Sequence, residues 1–229
     1  MGLRKYIPFK NFLTGRHKHY WKFRSIDWEV DYFTPHHFKR DLVVSIIKDL
    51  NIKSVFEVGC ASGANLARIK EELPMVEIGG CDIAPKAIEA AKRLLGDNAE
   101  VLEVCSADEI FLSDKSVDVV LTDMCLIYID PFHINKAIKE FNRISRNYVM
   151  FVEFHDLKWW KRIPCALFNG YNLYNYEKLL KRHGFYDIKT WEVRNLEIGH
   201  TGKTVTHQSD IYLFKRKIPI SAHVVLARV

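Results

Sequence analysis

Short apolar segments alternate with helical segments from about residue 52 onward, and this alternation restricts the fold more than any other feature. The segment 117–122 (Val-Asp-Val-Val-Leu-Thr) is almost continuously apolar, which is typical of a strand covered on both faces. The predicted strands are 54–58, 76–81, 100–105, 117–122 and 147–153, and the predicted helices are 64–73, 85–96, 131–144 and 174–184. This order indicates βαβ units with right-handed crossovers. We therefore predict an α/β fold with a doubly wound, Rossmann-like, mostly parallel sheet flanked by helices.

The pattern changes after residue 153, where an irregular aromatic and basic stretch covers 158–172. Segments 191–198 and 210–215 are predicted to form a terminal antiparallel hairpin, which would complete a seven-stranded sheet. No internal repeat interrupts the chain, and 229 residues suit a single folded unit. We assign residues 41–229 to this domain and residues 1–40 to a separate N-terminal segment, called the head below.

The net charge of +6 belongs to the head alone. The head holds nine lysines and arginines against three acidic residues, so residues 41–229 hold 25 of each sign. Ten of its forty residues are aromatic, nearly double the 13% of the whole chain, and a solvated tail would not carry so many. We predict that the head folds back as a cap or lid and presents its cations to an anionic ligand.

Several classes of protein are excluded by composition. No apolar run approaches the roughly 18 residues needed to cross a bilayer, and no apolar region of a secretory signal follows the N-terminus. The five cysteines are an odd number without CxxC spacing, so we expect no disulfide framework and a cytoplasmic location.

Glycine and acidic residues follow the predicted strands at their carboxyl ends, where a doubly wound sheet binds its ligands. After the first strand, 59–63 (Gly-Cys-Ala-Ser-Gly) lets backbone approach a ligand at a helix N-terminus. Asp82 follows the second strand and is placed to accept hydrogen bonds from a ribose diol. Segments 106–108 and 122–124 follow the third and fourth strands.

These segments together resemble the class I S-adenosylmethionine-dependent methyltransferases, over roughly residues 41–217. Glu57-x-Gly59-x-x-x-Gly63 is similar to the first motif of that family, and Asp82 to its ribose-binding acid. Many members have a third glycine where this chain has Ala61, which is tolerable where the backbone angles are ordinary. The resemblance implies S-adenosylmethionine as cofactor and S-adenosylhomocysteine as product. The implied cofactor-binding residues are Glu57, Gly59, Cys60, Ala61, Gly63, Asp82, Ile83, Ala107, Asp108, Asp123 and Met124.

A weaker likeness concerns the acceptor. Segments 126–131, 151–154 and 210–215 are similar to methylases of bacterial surface-sugar (pseudaminic-acid-type) biosynthesis. The cations of the head, rather than this likeness, lead us to expect a small anionic or sugar-type acceptor, such as a phosphorylated or nucleotide-linked sugar. One alternative is an RNA or DNA methyltransferase with a basic, base-stacking arm, although no Asn/Asp-Pro-Pro-Tyr/Phe segment follows the fourth strand. An inactive methyltransferase-like binding subunit and a protein methyltransferase stay open, as does the oligomeric state.

Methyl transfer is an in-line displacement, so catalysis consists mostly of alignment, with a base needed only where the acceptor must lose a proton. The candidate catalytic residues are His155, Glu153 and Tyr128. His155 is our first choice for a base because the ordinary pKa of histidine is near 6.5, with a structural hydrogen bond to a loop as the alternative. Glu153 requires a partner if buried, either a substrate amine or a lysine or arginine.

Other chemistry-bearing residues have structural interpretations. Asp108 is a possible helix N-cap and Asp123 a possible solvated loop residue. Four cysteines fall near strand ends, and core packing is favoured over a metal site for Cys60, Cys81, Cys105 and Cys125. Surface or packing roles are predicted for the histidine pairs of the head, 17/19 and 36/37, with His37 starting a lead-in helix.

Overall fold

The computed structural model describes residues 16–155, 158, 160–161, 165–166, 170–193, 208–213 and 216–229. The strands are β1 (Ser54–Val58), β2 (Glu77–Asp82), β3 (Ala99–Val104), β4 (Val117–Asp123), β5 (Ser145–Phe154), β6 (Tyr186–Glu192), β7 (Gln208–Leu213) and β8 (Arg216–Arg228). The helices are α1 (Arg16–Lys22), α2 (Trp28–Tyr32), α3 (Phe38–Lys48), α4 (Ala64–Glu72), α5 (Pro85–Leu95), α6 (Ile134–Ile144) and α7 (Tyr176–Arg182).

The strands form one twisted sheet in the order β3-β2-β1-β4-β5-β8-β6, with β7 paired to the far end of β8. The first five strands of this order are mutually parallel. Strand β8 lies antiparallel between β5 and β6. The strand order reverses between β1 and β4, which is the switch point where such sheets bind ligands. The predicted Rossmann-like, mostly parallel sheet with antiparallel terminal strands is confirmed.

Side chains alternate between two apolar layers, because successive residues of a strand point to opposite faces. In β4, Val119 and Leu121 pack in the layer that contains α3, α4 and α5, whereas Val120 packs in the layer of α6 and α7. Every residue of β1 is buried, as its position in the centre of a covered sheet requires. The predicted bounds of β1 agree with the structure, and those of β2 to β5 agree within two residues.

The predicted terminal hairpin is wrong in its pairing. Strand β6 begins at Tyr186, five residues before the predicted segment, and pairs with β8 rather than with β7. Strand β7 also pairs with β8, a strand that the sequence pattern did not indicate. The apolar segment 222–227 explains this position, because β8 is inserted beside β5 and its residues from Ala222 to Ala227 are almost all buried. Residues 194–198 and 214–215 of the predicted hairpin lie outside the described residues.

Helix α6 begins at Ile134, three residues after the predicted start at Pro131. The Asp130 carboxylate accepts hydrogen bonds from the backbone N–H groups of Phe132 and His133, at 2.9 and 3.2 Å. This side-chain turn competes with the first helical turn, a common use of aspartate.

The described part of the head, 16–40, packs against the domain. Trp28 of α2 is buried against Ala84, Ala87 and Ala90 around the start of α5. His37 caps α3 as predicted, since its Nδ1 accepts the N–H of Lys39 at 3.3 Å. Burial of a tryptophan of this size stabilises the docked head by several kcal/mol, on the order of 3. In the described part of the chain, no helix is both long and apolar enough to cross a membrane.

Candidate functional site

A cavity of about 320 Å³ lies at the carboxyl ends of β1, β2 and β4, beside the switch point of the sheet. The loops that follow these strands form its floor, and residues of α1, α2 and α3 form its opposite wall. Ten of the eleven predicted cofactor-binding residues line this cavity. The exception is Gly63, which precedes α4 and shapes the loop without facing the cavity.

The loop after β1 is a tight turn with three left-handed residues: Gly59 has φ +76°, Ala61 φ +50° and Gly63 φ +84°. The N–H groups of Gly59 and Cys60 both donate to the carbonyl oxygen of Cys81, at 2.7 and 3.0 Å. A Cβ atom at Gly59 would lie 2.5 Å from Cys125 Sγ, so the loop touches the segment after β4 directly.

Ala61 does not have the ordinary backbone angles that would make alanine tolerable in place of the third glycine. Its positive φ costs about 1–2 kcal/mol for an L-residue. The N–H of Ala61 donates to Asp82 Oδ2 at 3.0 Å, and this bond holds the strained residue in place. The loop therefore keeps a glycine-like geometry because a neighbouring strand end fixes it.

Asp82 organises the loops on both of its sides. Its Oδ1 accepts the N–H of Ala84 at 2.9 Å, while its Oδ2 accepts the N–H of Ala61. Burial raises the pKa of Asp82, and the hydrogen bonds from Ala84 and Ala61 oppose that rise. Each carboxylate oxygen has a further lone pair and the residue lines the cavity, so Asp82 can accept two hydroxyl hydrogen bonds.

A buried polar cluster occupies one end of the cavity. Glu57 Oε1 accepts a hydrogen bond from Asn65 Nδ2 at 2.6 Å, and Asp123 accepts from Asn65 and from Lys39 Nζ, both at 3.3 Å. Burial raises the pKa of Glu57 to about 8, and the charge of Asp123 adds to this rise. Glu57 Oε2 and Arg40 Nε are buried and have no hydrogen-bond partner among the described residues. The cluster thus leaves one hydrogen-bond acceptor, Glu57 Oε2, and one hydrogen-bond donor, Arg40 Nε, without a partner beside the cavity in the described part of the chain.

The opposite end of the cavity contains Ile83, Ala107 and Asp108. Asp108 hydrogen-bonds Ser106 and pairs with Lys18 Nζ of the head at 3.5 Å. Burial alone would raise the pKa of Asp108, but the Ser106 hydrogen bond and the charge of Lys18 bring it below its ordinary value. No helix begins at Asp108, so the N-cap interpretation does not apply, and Asp123 is no solvated loop residue either.

Two of the three predicted catalytic residues do not line the cavity. His155 Nδ1 accepts the N–H of Tyr176 at 3.2 Å, and the two rings stack with centroids 5.9 Å apart. Glu153 is fully buried, and its Oε1 accepts the N–H groups of Cys125 and Leu126, both at 2.9 Å. Backbone N–H groups therefore take the place of the lysine, arginine or substrate amine that was expected to pair with Glu153. His155 binds the backbone at the start of α7, which is the structural alternative to a catalytic role.

Tyr128, the third of these residues, does line the cavity. Burial raises the pKa of its phenol well above the ordinary value, so the hydroxyl stays protonated at neutral pH and can donate but not act as a base.

The ionisation of Glu153 lowers the stability of the fold as the pH rises. Burial raises its pKa from 4.5 to about 8, so the folded protein keeps a proton that the unfolded chain releases in this range. Glu153→Gln retains an oxygen for both N–H groups and cannot ionise. We expect urea denaturation to show the variant more stable than the parent above about pH 8, by about 5 kcal/mol, with the gain shrinking towards pH 5.

The matched control is Glu89→Gln on the exposed side of α5, which should leave the pH dependence unchanged. Glu57 titrates in the same range and remains in the variant, so the fall of the free energy of unfolding with pH becomes smaller but does not disappear. If that fall is as steep in Glu153→Gln as in the parent, Glu153 is not the group responsible for it.

The head contributes cavity residues that no sequence motif indicated. His17, Trp21, Trp28 and Tyr32 line the cavity, and the Trp21 ring meets the Tyr128 ring edge-on with centroids 4.8 Å apart. The excess of aromatic residues in the head was the available signal, but it did not say which of them meet the cavity. His17 packs against the Tyr128 ring, with centroids 5.9 Å apart, as the predicted packing role allows, and it also lines the cavity.

The cysteines pack as small apolar residues. Cys60, Cys81 and Cys105 are buried members of the two core layers, and Cys125 lies at the cavity wall. All are free thiols. Among the described residues, no group of three or more histidine, cysteine, aspartate or glutamate side chains is arranged to hold a metal ion.

Comparison with known proteins agrees with this geometry. Residues 55–147 match the family model of the methyltransferase domain, a span that runs from β1 into the start of β5. Malonyl-[acyl-carrier protein] O-methyltransferase 1 of Ilyobacter polytropus is 29% identical over 77 residues, which are 34% of this chain. The match spans only 29% of the length of that relative.

Two solved structures share the fold over almost the whole chain. Geranyl diphosphate methyltransferase, in complex with its diphosphate ligand and sinefungin, superposes with a TM-score of 0.65 at 12% identity, covering 93% of this chain and 97% of the other. Magnesium protoporphyrin IX methyltransferase of Synechocystis PCC 6803, with bound S-adenosylmethionine, gives 0.55 at 14% identity, covering 95% and 93%. The chain has the Rossmann-like fold of these methyltransferases, and its residues 55–147 match the methyltransferase domain family.

Proposed function

We propose that this protein is an S-adenosylmethionine-dependent methyltransferase that acts on a small-molecule acceptor by in-line transfer and releases S-adenosylhomocysteine. The observation that carries the proposal is the distribution of polar groups along one cavity. An unpaired carboxylate oxygen and an unpaired guanidinium nitrogen lie at one end, Asp82 lies in the middle and Asp108 at the other end.

These groups fit the three parts of the cofactor. The Arg40 guanidinium and the Glu57 carboxyl suit the carboxylate and ammonium of its amino-acid end. Asp82 suits the ribose diol, and the Ala107–Asp108 turn suits the adenine edge. When bound, the cofactor supplies an electrophilic methyl group on a sulfonium. The chain binds it, orients the acceptor and excludes water through the head.

The chemical class of the methyl acceptor is a separate part of the proposal. The described relatives are named for malonyl-[acyl-carrier protein], geranyl diphosphate and magnesium protoporphyrin IX, which supports a small or carrier-bound acceptor. They give no support to the surface-sugar likeness. An anionic or sugar-type acceptor therefore stays a prediction, and two cations that it would use, Lys18 and Lys39, are paired with Asp108 and Asp123.

Calorimetric titration with S-adenosylhomocysteine tests the proposal. We expect one site per chain with a micromolar dissociation constant, equivalent to about −8 kcal/mol, and a rise in Tm on binding. Binding without methyl transfer to any small molecule or carrier-bound acid would favour the inactive binding subunit. The absence of heat and of any thermal shift would overturn the proposal. Steeply salt-dependent binding of RNA or DNA would favour the nucleic-acid alternative.

A second arm of the same titration concerns the head. We propose that residues 1–40 act as a lid, because residues 17–40 supply one wall of the cavity. Deleting residues 1–35 should leave S-adenosylhomocysteine binding measurable but weaken it, and should remove methyl transfer by admitting water and unseating the acceptor. Full methyl transfer by the deleted chain would contradict the lid.

A further inference from the structure

We propose that His17 is the general base of methyl transfer, and that the acceptor is a planar, ring-bearing small molecule whose hydroxyl group it deprotonates. This inference rests on the proposed function and extends it to the acceptor side of the cavity.

The position of His17 is set by α1 and by two contacts across the cavity mouth. Its ring lies half-buried at the cavity wall, 5.9 Å from the Tyr128 ring between centroids, at an interplanar angle of 55°. On another side the ring contacts the backbone at Gly170, because a Cβ atom at that glycine would lie 3.4 Å from His17 Cε1. Neither ring nitrogen has a hydrogen-bond partner among the described residues, and His17 lines the cavity, so the unprotonated nitrogen of the neutral ring is free to accept a proton.

Asp130 gives His17 the electrostatic support that a base needs. The Asp130 carboxylate is buried and held by the N–H groups of Phe132 and His133 and by His133 Nδ1 at 2.8 Å. Its negative charge raises the pKa of His17, but burial has the larger effect and lowers it, so the imidazole is neutral at pH 7. After proton uptake, the same carboxylate stabilises the imidazolium.

Most other candidates for a base on the described cavity wall are already engaged. Asp82 accepts backbone N–H groups, and Asp123 pairs with Lys39. The Tyr128 hydroxyl stays protonated, and the raised pKa of Glu57, about 8, keeps its carboxyl protonated at neutral pH. His133 also lines the cavity, with its Nδ1 bound to Asp130. We choose His17 over His133 because the His17 ring lies beside the Tyr128 ring, at the aromatic part of the cavity wall.

Aromatic rings decide the shape of the acceptor. Trp21, Tyr32 and Tyr128 line the cavity next to His17, and the centroids of Trp21 and Tyr32 are 6.3 Å apart with the rings nearly perpendicular. Such walls favour flat, apolar ligands through stacking and edge contacts. A hydroxyl on a ring of this kind is a poor nucleophile until its proton leaves, which is the step that His17 performs.

The step balances without a further reactant. The acceptor O–H bond breaks and its proton moves to a ring nitrogen of His17. The oxygen electron pair forms the O–CH₃ bond while the S–CH₃ bond breaks, and its electron pair stays on sulfur. The imidazolium then returns its proton to solvent.

Two phenols and two histidine variants test the inference. Phenol, whose pKa is about 10 as in tyrosine, needs a base at about pH 8, whereas the more acidic 4-nitrophenol is largely ionised there. We expect His17→Gln to lower kcat for phenol by about 100-fold or more and for 4-nitrophenol by less than about threefold. His19→Gln on the same helix faces solvent and should match the parent with both probes.

An equal loss of kcat with both phenols would show that His17 only positions the acceptor, and it would contradict its role as the general base. Unchanged rates would do the same, and a parent protein that methylates neither phenol would overturn the acceptor class.

A measurement without turnover separates this inference from the proposed function. With S-adenosylhomocysteine bound, the phenolate absorbance of bound 4-nitrophenol should appear at a lower pH in the parent than in His17→Gln, because the His17 imidazolium stabilises the phenolate. Calorimetry should show unchanged S-adenosylhomocysteine affinity in His17→Gln. Failure of S-adenosylhomocysteine to bind the parent would contradict the proposed function, whereas the same phenolate titration in both proteins contradicts the role of His17 alone.

Discussion

Replacing Gly59 with alanine is expected to destabilise the protein by about 2–5 kcal/mol and to abolish cofactor binding. The new Cβ would lie 2.5 Å from Cys125 Sγ and 2.7 Å from Cys125 Cβ, and it would sit on a residue with φ +76°. The left-handed backbone costs about 1–2 kcal/mol and overpacking about 1–3 kcal/mol more. Relief of the clash requires the loops after β1 and β4 to separate, and both line the cavity. Urea denaturation measures the loss of stability.

Gly184→Ala is the matched control. Gly184 has a similar φ of +86°, but nothing lies within 4 Å of the Cβ position, so only the backbone cost of about 1–2 kcal/mol applies. Equal destabilisation by the two substitutions would show that the contact with Cys125 is unimportant. A Gly59→Ala protein that binds S-adenosylhomocysteine with the parent affinity would contradict the role of the loop.

Asp82→Ala is expected to weaken S-adenosylhomocysteine binding by at least about 100-fold. The substitution removes the oxygens that we propose accept the ribose diol, and it also frees the N–H groups of Ala61 and Ala84. Hydrogen bonds to a charged group contribute about 1.5–3 kcal/mol each, and each 1.4 kcal/mol is tenfold in affinity. Loss of the anchor at Ala61 adds to this, because that residue holds a positive φ. Isothermal titration calorimetry gives the affinity, and thermal unfolding checks that the variant is folded.

Asp82→Asn offers a graded comparison, since its amide keeps only one of the two oxygen acceptors. We expect an intermediate loss of affinity. Asp97→Ala, in the exposed turn after α5, should bind as the parent does. Parent-like affinity in Asp82→Ala would remove the ribose assignment, and with it the main argument for where the cofactor lies.

The parallel half of the sheet was predictable because its signals are local. A short apolar run indicates a buried strand. Pro85 marks the start of α5 and Gly96 marks its end, so the bounds of this helix are visible in the sequence. The antiparallel end was not predictable in the same way. Strand β8 is recognisable only once β5 is known to lack a neighbour, which is a property of the assembled sheet.

The proposed cofactor side of the cavity was predictable from local sequence signals, whereas the proposed acceptor side was not. Residues that follow β1 to β4 could be placed in advance, because parallel strands end at one edge of the sheet. His17 and Trp21 could not, since their position depends on how the head crosses that edge. Glu153 and His155 were misplaced because strand alternation predicts a face but not whether a loop already covers it.

The sequence by itself determined the doubly wound core, the turn after β1 and the acidic residue after β2, because backbone geometry and burial demand particular residue types at those positions. Only the tertiary structure decided which groups meet inside the cavity. The contact of Lys39 with Asp123 and the approach of His17 to Tyr128 join residues more than eighty positions apart. No local pattern encodes such contacts, since they follow from the packing of the head on α5 and the opposite strand ends.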